Sequence, residues 1–131
     1  MSIYAMQKSK LKILLVEDDK TLIEMYQIKF KEIGWDITVL SNGNDVLETA
    51  KKNKPAIILL DIMLPGIDGF GVLAELKKES TTKSIPVILL SNLGQQSDIQ
   101  KGKKLGAADY LVKADFTPAQ VVDKITSILN K

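Results

Sequence analysis

The chain predicts an α/β fold: a doubly wound five-stranded parallel sheet in strand order 2-1-3-4-5, with helices on both faces. Three observations carry that expectation. Ile13–Val16, Ile57–Leu60, Val87–Leu90 and Tyr110–Val112 are short apolar runs without polar alternation, the pattern of strands buried on both faces. Segments with helical period lie between them. Each run also stops abruptly, in Glu17-Asp18-Asp19, Asp61, Ser91 and Lys113 respectively. Residues just past parallel strands emerge together at the carboxyl edge of the sheet, where open α/β sheets collect their ligands and chemistry. Three of these carboxylates, a hydroxyl and an ammonium are therefore expected to converge.

The elements follow in order. After the first run, Lys20 to Ile33 reads as a helix with Leu22, Met25, Tyr26, Phe30 and Ile33 on one face, and Gly34 as its stop. Trp35 to Leu40 is a more polar strand. Ser41-Asn42-Gly43 turns the chain into a helix near Asp45 to Lys52 that carries Val46, Leu47 and Ala50. Pro55 opens the central strand, Leu64-Pro65-Gly66 makes a turn, and Asp68 to Lys78 is a helix with Phe70, Leu73 and Leu76 as its buried stripe. Pro86 starts the fourth strand. Gln95 to Leu105 is a weaker, mobile helix, because Gly102 costs about 1 kcal/mol relative to alanine and apolar anchors are few. Thr117-Pro118-Ala119-Gln120 has the form of a capping box with proline at the first helical position, and Val121, Val122, Ile125, Ile128 and Leu129 mark one face of the last helix.

Composition narrows the function. At 131 residues the chain fits one domain, expected over residues 11–131 after a tail at 1–10, with no room for a second core of similar size. There is no cysteine, hence no disulfide, and no apolar stretch nears the roughly 18 residues of a membrane span. The first ten residues lack the apolar core of a secretory signal, so a cytoplasmic address is expected. All 18 cations are lysine. Guanine readout and bidentate phosphate clamping favour the arginine fork, so direct DNA binding is not expected. Histidine is absent too, which excludes a phosphohistidine, a histidine metal ligand or a histidine base within this chain.

Leu14-Leu-Val-Glu-Asp-Asp19, Leu59-Leu-Asp-Ile-Met-Leu-Pro-Gly-Ile-Asp-Gly69, Ile88-Leu-Leu-Ser91 and Gly106-Ala-Ala-Asp-Tyr-Leu-Val-Lys113 together give a likeness over nearly the whole chain. The chain resembles the receiver domain of two-component response regulators, here of the stand-alone type, with a flavodoxin-like sheet. The resemblance implies that Asp61 accepts a phosphoryl group from the phosphohistidine of a histidine kinase or histidine phosphotransfer protein. It implies Mg2+ between Asp18, Asp61 and the backbone carbonyl of Met63, with Glu17 acting through water. Ser91 and Lys113 would hold the phosphoryl oxygens. Tyr110 would turn inward as Ser91 moves, switching the surface of the fourth helix, fifth strand and fifth helix toward an unknown downstream protein. Such a domain is a signalling phospho-acceptor that promotes only its own phosphorylation and dephosphorylation.

Physical chemistry agrees with those implied roles. Two unit charges about 4 Å apart repel by roughly 4 kcal/mol at an effective dielectric near 20, and a hard divalent cation relieves crowded carboxylates. Phosphoryl transfer asks mainly for in-line positioning and charge neutralisation, and a carboxylate is already a nucleophile at neutral pH. Each residue alone also has a plainer structural reading. Glu17-Asp18-Asp19 and Asp68 can cap helices, Asp61 can form a turn, Ser91 can be a loop hydroxyl, and Lys113 can be solvated. Tyr110 can be a half-buried strand aromatic, Trp35 packing, and Lys101-Gly-Lys-Lys104 a solvated helix face.

Two positions depart from the family pattern. Ala114 follows Lys113 where a proline joined by a cis bond is usual, so a trans bond or a strained cis one is expected there. Asn92 stands where a small residue is common, and its amide could contact the phosphoryl group or crowd it. Two other classes fit these residues less well. A haloacid-dehalogenase-type phosphohydrolase places a second aspartate two positions after the first, where this chain has Met63, so it lacks the proton-transfer group for turnover. A nucleotide- or flavin-binding module wants a glycine-rich phosphate cradle after the first strand, where this chain has Glu17-Asp18-Asp19.

Overall fold

The structure, a computed structural model, describes residues 10–92 and 94–130. The expected tail falls largely outside them. Strands β1 (Lys12–Val16), β2 (Asp36–Leu40), β3 (Ile57–Asp61), β4 (Val87–Ser91) and β5 (Asp109–Val112) alternate with helices α1 (Lys20–Glu32), α2 (Val46–Asn53), α3 (Gly69–Lys78), α4 (Gln96–Lys104) and α5 (Pro118–Leu129). A short 3-10 turn at Lys113–Asp115 links β5 to α5. All neighbouring strands are parallel, in order β2-β1-β3-β4-β5, as the strand-helix alternation predicts.

Side-chain alternation along the strands divides the core into two layers. Leu14, Val16, Ile58, Leu60, Val87 and Leu89 face α2 and α3, packing on Val46, Ala50, Phe70, Val72, Leu73 and Leu76. Ile13, Leu15, Ile57, Leu59, Ile88, Leu90 and Leu111 face α1 and α5, packing on Tyr26, Phe30, Val121, Val122 and Ile125. β3 and β4 are buried at every residue, whereas the edge strand β2 is nowhere fully buried, which is why only it reads as polar.

The helix ends follow from capping. Asp19 accepts from Leu22 N at 3.1 Å and Asp68 from Gly71 N at 3.0 Å. Thr117 and Gln120 complete the expected reciprocal box, with Thr117 Oγ1 accepting at 3.2 Å and Gln120 Oε1 at 2.9 Å. Gly34 follows α1 with φ of +84°, a left-handed turn that glycine enters without a steric cost. Met25 departs from the expectation. It is 45% exposed, because the buried stripe of α1 runs through Tyr26 and Phe30, and Met25 falls to the side of it beside the capping Thr117 and Pro118 and Ala119 of α5. Among the described residues no helix is long and apolar enough to cross a membrane.

Candidate functional site

Register brings the polar strand ends together. Val16 pairs with Leu60, so Glu17 lies level with Asp61, which itself pairs with Leu90. One step further along, Ser91 pairs with Val112, and Lys113 follows. Glu17, Asp61 and Lys113 continue the alternation of the α1/α5 face. Ser91 and Tyr110 continue that of the α3 face, so the pocket is approached from both sides of the sheet.

The centre of the pocket is an ammonium between two carboxylates. Lys113 Nζ donates to Glu17 Oε1 at 2.7 Å and Oε2 at 2.9 Å, and to Asp61 Oδ2 at 2.9 Å. The other oxygen of Asp61 accepts from Met63 N at 3.0 Å, so the turn-forming reading of Asp61 holds alongside its place in the pocket. Glu17 is wholly inaccessible, and Asp61 and Ser91 are buried. Asp18 is exposed, yet its carboxylate lies with those of Glu17 and Asp61 so that one oxygen from each falls within 4.8 Å of the others. That spacing is close enough for one metal ion to be held by the three. Of the acidic triplet, then, only Asp19 acts as a helix cap.

Electrostatics follow from burial. Desolvation, reinforced by the Asp61 carboxylate and only partly opposed by Lys113, pushes the Glu17 carboxyl up to about 8. Burial works against the Lys113 ammonium, but the two carboxylates it touches outweigh that and raise its pKa. With all three acids ionised, one ammonium leaves two negative charges in excess, the charge of a divalent cation. Oxygen-only ligands, with one face open through Asp18, suit a hard ion that keeps waters and shares phosphate oxygens, as Mg2+ does.

Neighbouring backbone fixes the pocket's walls. A Cβ at Gly69 would stand 2.5 Å from the Asp61 carbonyl oxygen and 2.6 Å from Ile62 Cα, so α3 can start against the end of β3 only with glycine there. Gly69 N donates to the Ile62 carbonyl at 2.9 Å, closing the loop that carries Met63. Spacing alone did not single out Gly69; the nearest signal was its place directly after the capping Asp68. Met63 and Asn92 are exposed at the rim. No peptide bond among the described residues is cis, so Lys113–Ala114 is trans, and the chain leaves the pocket through the 3-10 turn, with Phe116 N donating to the Lys113 carbonyl at 3.4 Å. Tyr110 is half-buried on β5 directly opposite Leu89. Of the lysine run, Lys101, Lys103 and Lys104 are exposed as expected, but Gly102 is buried and Lys101 Nζ lies 4.5 Å from the centre of the Phe70 ring.

Residues 13–126 match the model of the response regulator receiver domain. The chain belongs to that family. Among relatives, this receiver domain is 36% identical to the transcriptional regulator ycf27 of Pyropia yezoensis over 96% of this chain and 50% of that protein. The chain thus spans about half the length of the curated relatives it matches. Among solved structures, the receiver domain of the Francisella response regulator 1452 superposes with a TM-score of 0.83 at 31% identity, covering 92% of this chain and 98% of that one. The BeF3-activated N-terminal receiver domain of RstA from Klebsiella pneumoniae does so with a TM-score of 0.83 at 29% identity, over 92% and 99%. The protein is therefore a signalling domain of a two-component system.

Proposed function

We propose that this receiver is a phospho-acceptor, with Asp61 as the nucleophile toward a phosphohistidine on a histidine kinase or histidine phosphotransfer protein. The convergence of Glu17, Asp18 and Asp61 around Lys113 carries this reading. A carboxylate oxygen of Asp61 forms the new bond to phosphorus while the bond from phosphorus to the donor's imidazole nitrogen breaks, the electron pair leaving with that nitrogen. None of these 131 residues is a histidine, so the phosphohistidine lies outside them.

Asp18, Asp61 and the Met63 carbonyl would hold Mg2+, with Glu17 reaching it through water; the ion supplies charge neutralisation to the transferring phosphoryl oxygens. Lys113, already anchored on Glu17 and Asp61, keeps its ammonium where phosphoryl oxygens arrive. Ser91, buried at the next step of β4, donates its hydroxyl to them. Its movement is coupled to Tyr110, and the altered surface of α4, β5 and α5 meets a downstream protein. The domain speeds only its own gain and loss of the phosphoryl group, in the cytoplasm.

Intact-mass measurement after incubation with Mg2+ and a small-molecule phosphodonor tests the reading. Wild type gains one phosphoryl group, and neither Asp61→Asn nor wild type in excess chelator does. A wild type that gains none, or an Asp61→Asn variant modified equally at the same site, would contradict it.

A further inference from the structure

α4 has one buried residue, Gly102. Its backbone lies directly on the side chain of Leu89, itself fully buried on β4: a Cβ at Gly102 would stand 2.7 Å from Leu89 Cδ1 and 3.6 Å from Tyr110 Cδ2. Leu89 and Tyr110 are register partners on neighbouring strands, on the same face of the sheet. The glycine is therefore the ceiling over the pair. It also fixes the turn into β5, since Ala107 N donates to the Gly102 carbonyl at 3.0 Å. One residue earlier, the Lys101 ammonium sits over Phe70 and joins α4 to α3.

A methyl group at that place has nowhere to go without moving something. Leu89 is fully buried, so its δ-carbon yields by turning toward its neighbours, Tyr110 among them, or α4 lifts from the sheet. Either response changes the space above the tyrosine ring. We propose that Gly102 is a positioning residue for the switch: by holding α4 at backbone distance from Leu89, it sets the width of the slot in which the Tyr110 ring changes place. The inference rests on the reading of Tyr110 as the moving side chain. It gives the glycine, which costs helix stability, a reason to stand in the last turn of α4.

The test follows the Tyr110 ring by 19F NMR of the fluorotyrosine-labelled chain, its signal assigned by Tyr110→Phe. Spectra are taken with and without Mg2+ and a small phosphodonor, and the displacement is scored per phosphorylated molecule by intact mass. In wild type the signal moves on phosphorylation. In Gly102→Ala the displacement falls below half, and Gly102→Ala with Leu89→Val, which removes the δ-carbons the new methyl meets, restores most of it. A loss of stability alone would leave the displacement per phosphorylated, folded molecule unchanged, so an unchanged displacement overturns the inference. If Gly102→Ala does not fold, Leu89→Met reaches toward the glycine from the strand side, and an undiminished displacement there overturns it equally. A phosphorylated wild type whose Tyr110 signal stays still refutes the switch reading itself, and the inference with it.

Discussion

α3 and α4 are adjacent in sequence among the helices, yet the sheet holds them by different means. α3 buries Phe70, Val72, Leu73 and Leu76 and starts on a side-chain cap from Asp68. Its far end is tied by Thr82 Oγ1 donating to the Leu76 carbonyl at 2.7 Å, and by Lys77 Nζ donating to the carbonyls of Lys83 and Ile85 at 3.0 and 2.9 Å. α4 buries only a glycine and has no side-chain cap. At about 1.5–3 kcal/mol for each fully buried large apolar side chain, displacing α3 costs far more than the roughly 1–3 kcal/mol typical of coupling between sites. α4 has no fully buried large side chain to set against that range. If Asp61 is phosphorylated as proposed, the pocket has one weakly held neighbouring helix, α4, and one firmly anchored, α3.

The contrast can be broken most forcefully at Leu76. Truncation to alanine under a fully buried position should lower unfolding free energy by about 2–5 kcal/mol in chemical denaturation. A loss below 1 kcal/mol would mean that α3 is no better anchored than its neighbour.

The pocket supplies the next effect. Glu17 keeps its proton in the fold up to about pH 8, whereas in the unfolded chain it releases it near 4.5. The folded state thus binds more protons across that window, and the stability of the metal-free protein should fall as pH rises from about 4.5 to 8. Glu17→Gln should remove that slope, and saturating Mg2+ should flatten it by displacing the proton. Denaturation midpoints across that pH range in chelator check this; a slope identical in Glu17→Gln would refute the assignment.

The smallest effect is expected at Lys101. Its ammonium is exposed over Phe70, so Lys101→Ala should cost about 0.5–1 kcal/mol. A cost equal to that of Leu76→Ala would erase the difference between the helices.

How much of this was legible beforehand follows from the range of the forces involved. The apolar runs announced the strands because burial on both faces removes alternation, and their abrupt ends announced the pocket because parallel strands share a carboxyl edge. Caps at Asp68 and Thr117 are local and were readable. Glu17 was not readable as a buried acid, since its burial depends on Lys113, 96 positions away. Gly102 reads locally as a weak point in a helix; its reason is Leu89, on another strand. Met25 shares apolar character with the α1 stripe but lies beside it, where only the placement of α5 decides its exposure.

Amide hydrogen exchange with and without Mg2+ and a small phosphodonor, on protein shown by mass to be phosphorylated, tests the division of labour most directly. Protection should change in α4 and β5, residues 96–112, while α3, residues 69–78, stays as it was. Equal change in both helices, or none in α4 of the phosphorylated protein, would contradict the account.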